Sequence, residues 1–232
     1  MQQKQKGLVW FRNDLRVHDN ASLTQAIQEN ETVIAVYCFD PRHFEKDAFG
    51  FKKTEKYRAQ FLIESVSELK INLEKINISL FVYHDTPENC ISAFAKEHQI
   101  NTIYFQEEWT SEEVEVSANL RTQLQTTVTF TTHYDQFLFH PDDIPFDLNS
   151  IPKVFTQFRT LCENRVKIRP ISVLSSLDKQ NLIANSTLIP SLTDLGFDVF
   201  TKDTRTAFPF RGGESQALKR MEHYFWDTEK LS

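Results

Sequence analysis

The chain has 232 residues, of which 40% are apolar and 20 are phenylalanine, with a net charge of −6. That is enough to fill a core and to build one sizeable domain plus part of a second, which excludes a disordered chain. No apolar run reaches the roughly 18 residues of a membrane helix, the opening MQQKQKG lacks the apolar centre of a signal peptide, and an acidic balance argues against a chain that grips nucleic acid by itself.

In chain order, the first half alternates short apolar runs with helical patterns. Residues 8–11 are a continuous apolar run that meets a dense charge cluster in "LVWFRNDLRVHDN". A helix is expected over 20–28, with Asn20 where an N-cap belongs. A second strand follows over 33–38, then a long helix over 57–75. There Phe61, Leu62, Val66, Leu69, Leu73 and Ile76 recur at helical spacing and form one apolar stripe. Strands over 79–83, 102–105 and 128–132 alternate with helices over 88–97 and 111–124, the latter with Ser111 as its cap. The strands are short, β-branched or aromatic and nearly unbroken in hydrophobicity, as a parallel sheet buried on both faces requires. The expected fold is α/β, a doubly wound five-stranded parallel sheet whose ligand crevice lies at the strands' C-terminal ends.

The pattern changes near residue 134. "FHPDDIPFDLNSIPK" and the stretch 171–202 are rich in Pro, Ser, Asp and Asn and read as an ordered, irregular connector, interrupted by a helix over 154–165. After Gly212 and Gly213 another helix begins, with Ala217, Leu218, Met221, Tyr224 and Phe225 on one face. Nothing that follows covers that face, so it reads as the first element of a further domain. The expected units are 1–134, 135–205 and 206–232.

Several chemistries are excluded by residue type. The five glycines build neither a G-x-G-x-x-G turn nor a P-loop. There is no G-x-S-x-G, H-E-x-x-H or C-x-x-C pattern. Cys38, Cys90 and Cys162 are far apart in the chain and read as buried free thiols of a reducing cytoplasm. The seven histidines are scattered without adjacent carboxylates and read as surface or packing residues. No catalytic constellation emerges.

"VWFRNDLRVHDN" resembles the opening of the photolyase/cryptochrome family, whose N-terminal pattern is W-F-R-x-D-L-R-x-x-D-N. "VYCFDPRHF", "PDDIPFDLNSIPKVFTQFR" and "FRGGESQALKRMEHYFW" narrow the resemblance to the DASH-type cryptochromes, over essentially the whole chain. The resemblance implies a Rossmann-like antenna domain that holds a chromophore, 5,10-methenyltetrahydrofolate in many DASH proteins. It further implies an all-helical half that binds FAD and docks DNA carrying cyclobutane pyrimidine dimers, together with the redox tryptophans. None of the flavin-binding motifs of that half has appeared by Ser232, so this chain alone is expected to be inactive. A structural or interaction module with an empty crevice, and a nucleotide-binding protein of the electron-transfer-flavoprotein type, are the alternatives.

The resemblance also implies where an antenna would lie. Phe11 and Arg12 end the first strand, and Cys38, Phe39 and Asp40 end the second. An Arg can stack on a pterin or pair with a carboxylate tail, or serve a structural ion pair instead. The acidic run "FQEEWTSEEVEV" is ordinarily a solvated face, and carboxylates in a first helical turn suit the helix dipole. The family, however, sets a carboxylate from this segment against the pterin's amino-pyrimidine edge. Glu113 aligns with that role, with Glu112 as the fallback. Asp14, Arg16 and Asp19 read as a charge cluster that pins the turn. Trp10 reads as core, Trp109 as pocket lining and Trp226 as packing against another domain.

Overall fold

Five short runs of β-branched and aromatic residues pair as parallel strands: β1 (Lys6–Phe11), β2 (Thr32–Cys38), β3 (Leu80–Tyr83), β4 (Thr102–Gln106) and β5 (Thr129–His133). Their order is β3-β2-β1-β4-β5 in the computed structural model, which describes residues 5–201, 203–206 and 208–228. The opening MQQK, Lys202, Ala207 and the closing EKLS lie outside the described residues. They enter the expectations for a leader, the connector and the last helix. The chain travels outward from β1 to β3, crosses back, and continues from β4 to β5. The reversal sits between β1 and β4, the switch point at which open α/β sheets place their ligands.

Alternation along each strand divides the core into two layers. Val9, Phe11, Val33, Ala35, Leu80 and Val82 face α1 (Ala21–Glu29) and α2 (Lys56–Lys75). Leu8, Trp10, Ile34, Val36, Ile103 and Phe105 face α3 (Pro87–His98) and α4 (Ser111–Leu124). The expected doubly wound α/β sheet is therefore the fold observed.

Local details depart from the expectation in three places. Asn20 caps α1, its side-chain oxygen accepting from the Leu23 N–H at 2.9 Å, but Ser111 is the first residue of α4 and Thr110 stands at the cap without a side-chain bond. Phe61 leaves the buried stripe of α2 and sits exposed beside the ring of Phe208, 6.1 Å away, whereas Val66, Leu69 and Leu73 are buried. The last strand starts one residue late because the Val128 N–H donates back to the Leu124 carbonyl at 3.1 Å and completes the turn after α4.

The connector shields the β3 edge, which would otherwise present unpaired backbone groups. Thr187 accepts from the Val82 N–H at 2.9 Å, and the Asn185 amide donates to the Leu80 carbonyl. Asn181, buried, bonds both the N–H and the C=O of Val33 at 2.9 Å each, copying a strand ladder with one side chain. The connector also holds α5 (Phe155–Arg165), where Cys162 is buried.

The charged turn after β1 is fixed by two carboxylates. Buried Asp14 accepts from the Arg12 N–H at 2.9 Å and from the Asn20 amide at 3.1 Å. Glu214 accepts from the N–H groups of Val17 at 3.0 Å and His18 at 2.7 Å, and meets the His18 ring at 2.8 Å. His18 thus has the carboxylate neighbour that its sequence context did not show. The expected cluster of Asp14, Arg16 and Asp19 forms in part: the Arg16 N–H donates to the Asp14 carbonyl and its guanidinium to the Asp19 carbonyl at 2.9 Å. Arg16 also pairs with Asp135 at 3.0 Å, and Asp19, in a left-handed conformation, accepts from the Ser172 N–H, so these two residues tie the turn to other segments while Asp14 bonds within it.

Glu214 opens α6 (Glu214–Glu222), which continues into a wider π-helical turn over His223–Asp227. The helix approaches α2 so closely at Gly212 that an added Cβ would lie 2.2 Å from the Phe61 carbonyl oxygen and 2.6 Å from Ser65 Oγ. Gly212→Ala should therefore push α6 away and destabilise the protein by about 1–3 kcal/mol. Thermal melting combined with limited proteolysis of the final helix measures both effects, and an unchanged melting point would contradict this packing.

Candidate functional site

β1 and β2 end at a cavity of about 660 Å³ that is roofed by the starts of α2, α3 and α4. Trp10, Phe11 and Arg12 contribute from β1, and Tyr37, Cys38 and Asp40 from β2. Thr54, Arg58 and Leu62 close one side from α2 and the residues before it, while Glu112 and Glu113 close another from the first turn of α4. Of the residues expected at the crevice, Phe11, Arg12, Cys38, Asp40, Glu112 and Glu113 line this cavity. Phe39 does not. Its side chain packs into the core layer below, where it meets the Tyr37 ring edge-on at 4.9 Å.

Arg12 is the buried charge around which the site is arranged. Its guanidinium lies over the Trp10 ring, 4.6 Å from the centroid, in cation–π geometry. It donates to the carboxylate of Glu113 and, at 3.2 Å, to the carbonyl of the same residue. The structural ion pair left open for Arg12 is thus present. The carboxylate uses Oε2 for Arg12, which holds the side chain at the cavity wall with Oε1 not engaged in any bond among the described residues. A paired, ionised carboxylate is a strong acceptor for N–H groups.

A second ion-pair group lies opposite. Arg42 reaches Asp40 through Nε, at 2.9 and 3.0 Å to its two oxygens, and Glu88 through Nη1 and Nη2, at 3.0 and 2.9 Å. Burial alone would raise the Asp40 carboxyl, but the bonds and charge of Arg42 outweigh it and hold the group below its ordinary range. Glu112 pairs with Lys53 at 2.6 Å across the mouth, and the same lysine lowers the carboxyl of Glu112. Burial pushes the Tyr37 phenol up, so it stays protonated beside these charges.

The structure corrects one further expectation and adds contacts that the sequence did not show. Trp109 does not line the cavity. It stacks on Tyr134 at 4.6 Å on the far side of the sheet's end and is half exposed. Cys38 and Cys90, distant in sequence, touch through their sulfur atoms at 2.7 Å, while all three cysteines remain free thiols. Arg42, Lys53 and Arg58 were missed as cavity residues: Arg42 and Lys53 lie between β2 and α2, where no periodic signal exists, and Arg58 lies in the first turn of α2, ahead of its apolar stripe; the run "DPRHF" was the only pointer to Arg42. The described residues hold no cluster of His, Cys, Asp and Glu able to bind a metal, and no helix among them is long and apolar enough to cross a membrane.

The cavity thus combines an aromatic floor, a fixed carboxylate and compensated cations at a sheet switch point. It holds no nucleophile activated by a base. The DNA photolyase family model matches residues 7–176, the whole sheet and most of the connector. The chain belongs to the DNA photolyase family. Its relatives include cryptochrome DASH of Gloeobacter violaceus, 40% identical over 97% of this chain and 45% of that protein. Cryptochrome DASH of Xenopus laevis is 38% identical over 96% and 43%. The crystal structure of a Synechocystis cryptochrome superimposes with a TM-score of 0.86 at 36% identity, covering 98% of this chain and 47% of that one. A photolyase of Sulfolobus tokodaii, solved with two FAD molecules, shares the fold at a TM-score of 0.69 and 22% identity, over 93% and 45%. The chain therefore spans less than half the length of these relatives, and the resemblance to DASH-type cryptochromes stands.

The Arg42 group makes the site sensitive to acid. A depressed carboxyl contributes stability above its ordinary value near about pH 4 and loses it as pH falls through the depressed one. Arg42→Gln leaves Asp40 and Glu88 close together without a cation. Acid unfolding followed by circular dichroism should then start at higher pH, with about 1–2 kcal/mol lost at neutral pH, since Arg42 is partly solvent-screened. An unmoved acid limb would mean that water already screens the group.

Proposed function

We propose that this chain is the antenna-binding part of a DASH-type cryptochrome or photolyase and that its cavity takes 5,10-methenyltetrahydrofolate. The observation that carries this reading is the cavity at the ends of β1 and β2, with Trp10 and Tyr37 as aromatic walls and Glu113 held at its side by Arg12. Its volume falls within the roughly 300–1,000 Å³ of small-molecule sites. A pterin presents an amino-pyrimidine edge with adjacent N–H donors, and Glu113 is the acceptor suited to it. Glu112, engaged by Lys53, is the poorer candidate. Phe11, Arg12, Cys38 and Asp40 complete the wall, with Arg12 acting through Glu113. When bound, the folate would absorb near-ultraviolet light and pass the excitation to a flavin.

The protein's wider activity follows the same reading. FAD and DNA bearing pyrimidine dimers would be handled by a helical half like that of the longer relatives, in a reducing cytoplasm. Residues 206–232 would be where that half starts. Supporting this, Met221, Tyr224, Phe225 and Trp226 are all substantially exposed on α6 and its continuation, an apolar surface of the kind that marks a docking face.

Two measurements test the reading. Protein equilibrated with 5,10-methenyltetrahydrofolate and freed of excess ligand should retain near-ultraviolet absorbance. Glu113→Gln should weaken that binding about ten- to a hundredfold, the worth of one charge-assisted bond. Unchanged affinity would move the role to Glu112, and no retention by either protein would favour a structural module. Purified residues 1–232 should hold no stoichiometric FAD and leave dimer content unchanged under blue light, because no flavin-binding motif of the family appears in the sequence. Flavin recovered in equimolar amount would overturn this part of the proposal.

A further inference from the structure

We infer that Cys38 and Cys90 form a peroxide-responsive dithiol site, in which Cys38 is oxidised through the cavity and Cys90 closes a disulfide onto it. The two sulfurs are already in contact at 2.7 Å, although 52 residues separate them in the chain. Cys38 ends β2 and is one of the residues lining the cavity, although its side chain is largely buried, so oxidation requires that a molecule as small as hydrogen peroxide enter through that wall. Cys90 lies in the opening turns of α3, is buried and does not line the cavity. Access therefore assigns the order of events. The third cysteine, Cys162, is fully buried in α5, on a different segment, and serves as an internal control.

The chemistry balances without a group the protein lacks, since the peroxide is the oxidant. The Cys38 thiolate attacks one peroxide oxygen, the O–O bond breaks, and water leaves once the released oxygen takes up a proton. Cys38 is then a sulfenic acid. The Cys90 sulfur attacks the Cys38 sulfur, the S–O bond breaks, and the thiol proton leaves with the hydroxyl as a second water. Two thiols and one peroxide give one disulfide and two waters.

The surroundings set the pace and the direction. Burial pushes the Cys38 thiol up, Cys90 pushes it further, and the nearby Asp40 and Asp85 add to the effect. Little thiolate is present at neutral pH, so closure is slow in resting conditions and responds to sustained oxidant. The same destabilised thiolate makes reduced Cys38 a poor leaving group, so the disulfide resists reopening. The product staples the end of β2 to the start of α3, across one wall of the cavity.

Peptide mapping of the unmodified chain after hydrogen peroxide treatment provides the test. Expected are a Cys38–Cys90 cross-linked peptide, a mass loss of about 2 Da for the two thiol hydrogens, and a free thiol at Cys162. Closure should speed up about tenfold per pH unit as the Cys38 thiolate fraction grows. The melting midpoint should rise by roughly 10 °C, given the long loop enclosed. Cys162→Ser should still form the link, while Cys38→Ser and Cys90→Ser should not. Three thiols still titratable after treatment, sulfinic acid at Cys38 without a link, or a link to Cys162 or between molecules would each overturn the inference. The mapping on the unmodified chain decides the matter even where a variant folds poorly.

Discussion

The turn that follows β1 holds its own anions, and the rest of the crevice is arranged around that fact. Where a strand feeds a helix at a switch point, exposed backbone N–H groups attract negative charge. In phosphate-binding turns the charge belongs to a ligand and glycine admits it. Here the Asp14 carboxylate occupies the Arg12 N–H, and the Glu214 carboxylate occupies those of Val17 and His18. The anions come as side chains, so the turn needs no glycine and has no place for a phosphate. Burial pushes the Asp14 carboxyl above its ordinary value, and the Arg12 N–H, the Asn20 amide and the charge of Arg16 offset only part of that. With its backbone fixed in this way, Arg12 can project over Trp10 towards α4.

From Arg12 outward, the cavity follows an electrostatic pattern. Three carboxylates of its wall have a cation within hydrogen-bond reach: Glu113 has Arg12, Asp40 shares Arg42 with Glu88, and Glu112 has Lys53, while Glu115 and Arg58 line the cavity with no ion pair among the described residues. Compensation matters because the site is partly desolvated, and an isolated ion there would be costly or would change its protonation. A neutral or weakly charged aromatic ligand can then enter without facing a large uncompensated field. Acid–base chemistry asks for a different arrangement, in which pKa values are separated and poised.

What could be read in the sequence follows physical range. Strands and helices are set by local periodicity, and all five strands and the helices stood where the patterns put them, to within a residue or two. Asn20 was legible as a cap because the signal lies within one turn. Ser111 was not, since Thr110 beside it competes for the same position. The cavity's acidic wall was legible because it is a run, and Glu113 and Glu112 do face the crevice. Phe39 was misplaced because it shares a core layer with Phe11 and Tyr37, which do line the cavity, and alternation alone does not tell them apart. The contact of Cys38 with Cys90, and that of His18 with Glu214, could not be seen in advance. Each joins residues that only the folded sheet brings together.

The bond between Glu214 and Val17 spans 197 residues. Contacts of such sequence separation carry the loop-closure entropy of nearly the whole chain and form late. During synthesis the turn after β1 leaves the ribosome long before the carboxylate that will occupy its amides, and water must serve them meanwhile. The sheet can pair in that interval with Arg12 already held by Asp14 and Glu113, but the stretch at Val17 and His18 still lacks its carboxylate. Final ordering of the turn at Val17 and His18 is therefore coupled to the docking of α6, and completes only when residues far along the chain have arrived.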